Sequence, residues 1–196
     1  MSLICVGTPS NEDGSLKLDY VAAVAKEIGA AMADQPDYHV VCVRSTVLPG
    51  TTEDFVAPLL EQASGKQRGR DFGLCMNPEF LREGVAIADY REPSQIVMGE
   101  LDDRCGQTAM RMYEGISATR VHCDIKTAES VKYVCNIFHA LKVSFANEIG
   151  NICKAHEVDG QDVMRIFCND RRLNISDKYL SPGFAFGGSC LPKDCR

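Results

Sequence analysis

The run His39-Val-Val-Cys-Val43, followed directly by Arg44-Ser-Thr-Val-Leu-Pro-Gly50, decides the fold of this 196-residue chain. A short apolar run without polar alternation is the signature of a strand buried on both faces, as in a parallel sheet covered by helices. The small polar residues that follow it, and the Pro-Gly stop, read as a loop at the strand's C-terminal end. The same grammar recurs along the first half of the chain. Residues 3–6 are apolar and lead into Gly7-Thr8-Pro9; Phe72–Met76 leads into Asn77-Pro-Glu79; residues 96–98 form another short apolar run.

Helical patterns separate these runs. Residues 18–32 carry apolar side chains at 18, 21, 24, 25, 28 and 32, with Asp19 near the start and Gln35-Pro-Asp37 after the end. Thr51-Thr-Glu-Asp54 offers a capping-box-like start for a helix through residue 60, and residues 104–115 read as another helix. Asn77 and Pro78 fit the cap and first position of one more, which would place Glu79 and Glu83 on a shared face. Alternating strands and helices imply an α/β layer fold with a partial Rossmann-like parallel sheet.

Past Cys123 the pattern changes. Residues 125–156 contain no proline and a single glycine, Gly150, and Val131, Val134, Phe138, Leu141, Phe145 and Ile152 form a heptad-like seam. This predicts one long helix, with a shorter one over 159–168, so the expected division is 1–123 as an α/β domain and 124–196 as an all-α domain. The long helix also carries a polar stripe, Lys132, Asn136, His139 and Asn147, spaced to share a face. A solvated surface and a donor array for an oxyanion or sugar phosphate are both compatible with it.

The totals exclude several function classes. A net charge of −6 and the lack of a basic run argue against nucleic-acid binding. No apolar stretch approaches the roughly 18 residues of a membrane span, and no secretory leader is evident, which suggests a cytoplasmic protein. The ten cysteines include no C-x-x-C pair, so no metal site is expected and most thiols, including Cys5, Cys42 and Cys75 in strand-like runs, read as small core hydrophobes. Cys190 differs. It follows Gly187-Gly188 and precedes Lys193 and Asp194, a setting that favours a thiolate, although a buried turn cysteine has the same local sequence. No G-x-G-x-x-G follows any expected strand. Three strand ends in small polar residues, at Thr8, Thr46 and Asn77–Glu79, point to one cleft at the edge where open α/β sheets bind ligands.

Five segments carry a specific resemblance: Ile4-Cys-Val-Gly-Thr-Pro-Ser10, Val43-Arg-Ser-Thr-Val-Leu-Pro-Gly-Thr51, Asn77-Pro-Glu-Phe-Leu-Arg-Glu-Gly84, Phe145-Ala-Asn-Glu-Ile-Gly-Asn151 and the stretch 183–194. In order and spacing the chain resembles the UDP-glucose/GDP-mannose dehydrogenase family nearly end to end. Cys135-Asn-Ile-Phe-His-Ala140, Leu173-Asn-Ile-Ser176 and the Phe-Ala-Phe loop at 184–186 are most similar to the members that oxidise GDP-mannose.

The resemblance implies a four-electron oxidation of a nucleotide sugar's C6 alcohol with two NAD, through a thiohemiacetal and thioester on Cys190. It assigns Lys132 and Asn136 to the oxyanion, Glu79 to thioester hydrolysis, and Asp194 and Thr46 to water and proton transfer. Glu83, Lys132, Asn136, His139, Asn147, Tyr179, Phe184 and Gly187 fall at substrate-contacting positions, and Thr8, Thr46, Glu83 and Lys193 at or beside the cofactor. Lys178 and Ser181 stand where the familiar GDP-mannose enzyme has an aromatic residue and an arginine.

The resemblance further implies a homodimer through the 125–155 helix and a product acid destined for a polysaccharide. It implies too that the chain corresponds to the second half of the cofactor domain plus most of the central domain, so that alone it would dimerise, bind NAD poorly and not turn over. UDP-hexose or UDP-N-acetylhexosamine oxidation is the alternative within the family. A non-catalytic dimerisation module and a thiol redox sensor are the alternatives outside it.

Overall fold

Five strands form one sheet in the computed structural model, which describes residues 1–183. The strands are β1 (Ser2–Ile4), β2 (His39–Val43), β3 (Phe72–Met76), β4 (Gln95–Glu100) and β5 (Thr119–Cys123), in the spatial order β1-β2-β3-β4-β5. β1, β2 and β3 are parallel, with Ile4 beside Val43 and Val43 beside Met76. Every residue of β3 is buried, which is why it reads as an unbroken apolar run. Its side chains divide between two cores, with Phe72, Leu74 and Met76 on one face and Cys75 on the other.

The first face is covered by α1 (Asp19–Met32) and α2 (Ala57–Ser64), joined by Ile125 and Ala128 from the long helix α5 (Ile125–Ala155). The two flanking helices approach closely because Gly29 faces Ala63: a Cβ on Gly29 would lie 2.7 Å from the Cβ of Ala63. α4 (Asp103–Met110) covers the second face with Cys105, Ala109 and Met110. Asp102 caps α4, accepting the Cys105 N–H at 2.8 Å, and Asp159 caps α6 (Gly160–Phe167) by accepting from Gln161 and Asp162. The described residues fall into two compact units, Met1–Phe138 and the residues from His139 onward.

Several expectations are corrected. β4 runs antiparallel to β3, with Cys75 beside Glu100 and Met76 beside Gly99. The segment between them holds only the short α3 (Ala86–Arg91), so it returns to the sheet without the long helical crossover a parallel partner needs. β5, parallel to β4, was not expected, because its residues Thr119–Cys123 alternate without a strong apolar run. The expected helix at Asn77 does not form and residues 77–82 are non-helical. The 51–60 helix begins with a wider π-helical turn over Thr51–Val56, preceded by Gly50 at φ +95° with no local side-chain cap. The first strand ends at Ile4, and Cys5 is exposed.

The other strand cysteines do pack as hydrophobes. Cys42, Cys75 and Cys105 are buried side by side in the second core, and burial pushes the Cys42 thiol up to about 12. The Cys75 thiol is raised too, by its hydrogen bond with Cys105 and by burial, so Cys42 and Cys75 are protonated and inert as nucleophiles.

Candidate active site at the strand ends

The loops that leave β1, β2 and β3 meet over one opening of about 420 Å³, lined by Cys5, Val6, Gly7, Thr8, Arg44, Ser45, Thr46 and Glu79. Short bonds stitch the loops together. Ser45 Oγ accepts the Val6 N–H at 2.9 Å and donates to the Val6 carbonyl at 2.6 Å. Thr8 donates its hydroxyl to the Thr46 carbonyl at 2.8 Å. The expected convergence of Thr8, Thr46 and Glu79 is therefore present, and Thr8 reaches Thr46 directly.

Lys132 completes the group from α5. It is 8% exposed, and its Nζ lies 3.6 Å from the Glu79 carboxylate and 5.8 Å from the centre of the Phe80 ring. Glu79 also accepts the Leu81 N–H, which folds its side chain back over its own loop. A buried ammonium with a carboxylate partner is held in one place. Within the site it is a fixed positive charge beside a group able to accept a proton, the combination needed to stabilise an oxyanion and activate water.

The expected site residues do not all join this group. Glu83 lies exposed in the turn 83–85. It shares no helix face with Glu79, because the helix that would have aligned them does not form. Asn136, one turn beyond Lys132, is exposed. His139, Asn147 and Tyr179 belong to the second unit and are exposed, Tyr179 with a left-handed backbone at φ +64°. Cys190, Phe184, Gly187, Lys193 and Asp194 lie outside the described residues.

Three residues have roles at the site that the sequence did not indicate. Asn77, 1% exposed, is a brace rather than a helix cap. Its Oδ1 accepts from Arg44 and from the Tyr113 hydroxyl, the latter at 2.6 Å, and its Nδ2 donates to the Val97 carbonyl at 2.8 Å. This consumes the side chain that would have capped a helix. Arg44 bridges Asn77 and Tyr113, holding the ends of β2 and β3 in register.

The third is Glu129, 0% exposed on α5. Its carboxylate accepts the Gly50 N–H at 2.5 Å and the Thr52 N–H at 2.8 Å, supplying from a distant helix the cap that Thr51–Asp54 do not provide. Burial pushes its carboxyl up, against the opposing pull of these backbone donors. The available signal was phase: Glu129 falls with Ile125, Ala128 and Lys132 on the inward side of α5. Among the described residues no three histidine, cysteine or acidic side chains converge as a metal site, and no helix is long and apolar enough to cross a membrane.

Residues 1–117 match the model of the UDP-glucose/GDP-mannose dehydrogenase family NAD binding domain, and residues 126–196 match the central domain of the same family. GDP-mannose 6-dehydrogenase of Pseudomonas savastanoi pv. phaseolicola is 54% identical over 196 residues, covering 100% of this chain and 45% of that protein. UDP-glucose 6-dehydrogenase AglM of Haloferax volcanii is 39% identical over 198 residues, covering 98% and 46%. A crystal structure of a ternary complex of GDP-mannose dehydrogenase from Pseudomonas aeruginosa superposes with a TM-score of 0.96 at 53% identity, covering 98% of this chain and 44% of that one. The chain thus spans less than half the length of these relatives.

Proposed function

The chain belongs to the UDP-glucose/GDP-mannose dehydrogenase family, and from that membership we propose that it supplies the reactive centre of an NAD-dependent nucleotide-sugar 6-dehydrogenase, with GDP-mannose as substrate. The observation that carries this reading is the Lys132–Glu79 pair, 3.6 Å apart, beside the opening lined by Thr8 and Thr46. The choice of sugar nucleotide follows from the higher identity to the GDP-mannose enzyme, 54% against 39% for the UDP-glucose enzyme. We keep the division into a cofactor-binding part over 1–123 and a central helical part over 124–196.

The strand-end opening sits where parallel strands end, the edge at which open α/β sheets take dinucleotides, and its lining combines Thr8 and Thr46 with the Glu79 carboxylate, a setting suited to a cationic nicotinamide ring. None of the strand ends in this chain has the glycine turn that cradles a pyrophosphate. Bound NAD supplies the hydride acceptor. The remaining steps belong to the chain's own residues. The C6 hydroxyl loses its proton to a base, assigned to water ordered by Thr46 and Asp194, as its hydride leaves. The Cys190 thiolate adds to the resulting aldehyde, forming the S–C bond of a thiohemiacetal whose oxyanion is held by the Lys132 ammonium and by Asn136. Loss of a second hydride, for which a second NAD would be the acceptor, leaves a thioester. Water, deprotonated with help from Glu79, attacks it and expels the thiolate, giving the uronate. Glu83, His139, Asn147, Tyr179, Phe184 and Gly187 are assigned to the sugar nucleotide, and Glu83 and Lys193 also to the edge of the cofactor. The negatively charged product suits a cytoplasmic pool of polysaccharide precursors.

The test is stoichiometric. The complete gene product, given GDP-mannose and NAD, is expected to form two NADH per sugar nucleotide consumed, read at 340 nm against product by chromatography. Turnover only with UDP-sugars would move the substrate, and turnover with none would remove the enzymatic reading in favour of a dimerisation module.

The partner is proposed to be a second copy, joined through α5. Val134, Leu141 and Ile152 are 63%, 61% and 56% exposed along the expected seam, too much aliphatic surface on one helix for a solvated face. Leu141→Glu is expected to convert the dimer to a monomer in light scattering with the helix content retained. A dimer that survives this change would place the interface elsewhere.

A further inference from the structure

Glu129 does more than fill a core position. It is the only described carboxylate with 0% exposure, and both of its oxygens are spent on backbone N–H groups 77 and 79 residues away in sequence. A carboxylate is an expensive way to fill a core, since an apolar side chain would pack there without desolvating a charge. What it provides that an apolar residue cannot is a directional, two-point attachment.

The attachment joins two parts of the site. Gly50 closes the loop that follows β2 and carries Ser45 and Thr46, and Thr52 lies in the first turn after it. Glu129 itself sits one turn before Lys132 on α5, so the residues share a rigid segment of helix. From the loop the connection continues through Ser45 to Val6 and through the Thr46 carbonyl to Thr8. From the helix it continues through Lys132 to Glu79. Glu129 is the buried side chain that ties the helix half of the site to the Thr46 half; the other described link, Lys126 to Asp54 at 3.3 Å, is solvent-exposed.

We infer that Glu129 is a positioning residue for the dehydrogenase reaction, holding the Thr46 loop and Lys132 in one frame through the Gly50 and Thr52 N–H groups. The inference rests on the functional reading above. It requires that the contribution show in kcat, because misplacing a catalytic group by about 1 Å costs about a hundredfold in rate with little effect on substrate binding.

Glu129→Gln in the complete gene product is the direct test. The amide keeps the volume and one acceptor but turns an N–H toward one of the two backbone donors. We expect kcat to fall 10- to 100-fold while KM for the sugar nucleotide stays within about threefold. Unchanged kcat per folded protein, with only a lowered melting temperature, would overturn the inference and leave a structural brace. A variant that does not fold is covered by two further measurements. Glu129→Asp keeps the charge but shortens the arm, and should lower kcat while remaining folded; wild-type kcat in it would overturn the inference. In the unmodified protein, the Gly50 and Thr52 amides should exchange with deuterium at least 100-fold more slowly than the Leu48 amide, and rapid exchange would show that the anchor is not made. Failure of the functional reading itself is recognised separately, by an unmodified protein that forms no NADH.

Discussion

Replacing Lys132 by methionine is expected to lower kcat by roughly two to three orders of magnitude, the loss seen when one donor to a developing oxyanion is removed. Methionine suits the site because its flexible, apolar chain can occupy the space of the lysine stem against Phe80, whose ring centre lies 5.8 Å from the ammonium. The fold should persist, since the Glu79 side chain is 33% exposed and can turn to water once its partner is gone. The measurement is kcat and KM for sugar nucleotide and NAD, beside a thermal melt. A lysine that served only as a strut for Glu79 would give the opposite pattern, a lower melting temperature with kcat nearly intact. A loss smaller than tenfold in kcat would remove Lys132 from the reacting centre. Lys132→Arg should not rescue the activity, because a planar guanidinium cannot place a point charge where the ammonium sits.

The parts of this molecule legible from sequence are those in which neighbours in the chain are also neighbours in space. β2 and β3 announce themselves because burial on both faces leaves the runs apolar, apart from the half-buried His39 that opens β2, and α5 because its apolar and polar positions repeat at helical spacing. Thr8, Thr46 and Glu79 could be assigned to one edge because each follows a strand, and the chain's direction then dictates where it emerges. What was hidden depends on pairs far apart in sequence. Nothing local in Asn77-Pro-Glu79 distinguishes a helix cap from a brace; the choice is made by Arg44, Tyr113 and the Val97 carbonyl. The expected capping box at Thr51–Asp54 failed because the Thr51 N–H and hydroxyl both go to the Leu48 carbonyl and the Asp54 N–H to the Gly50 carbonyl, while the Gly50 and Thr52 N–H groups are capped from α5 by Glu129. The direction of β4 was hidden too, since an apolar run has the same composition in either orientation.

Gly99 lies at the contact on which these long-range arrangements depend, and its replacement by alanine is expected to be damaging far beyond the size of one methyl group. A Cβ built there would lie 2.6 Å from the Cβ of Ala128, 2.9 Å from the Cα of Ile125 and 3.2 Å from the carbonyl of Asp124. Two of these atoms are backbone and the third is the stub of a side chain, so no rotamer change can make room. Either α5 rises off the sheet or β4 bends. Overpacking of this kind costs about 1–3 kcal/mol, which for a chain of this size lowers the melting temperature by roughly 2–12 °C. The consequence extends to the site, because the same turns of α5 carry Glu129 and Lys132. A shift of the helix large enough to seat the methyl group draws the carboxylate away from Gly50 and the ammonium away from Glu79. Gly99→Ala should therefore reduce kcat as well as stability, although the glycine touches no reacting group. Ala128→Gly alone should cost about 1 kcal/mol through helix propensity, yet combined with Gly99→Ala it removes the closest clash. The double variant is expected to be more stable than the sum of the two single losses and to recover part of the lost kcat. Strict additivity in the melts would show that the helix is not seated on Gly99 in solution.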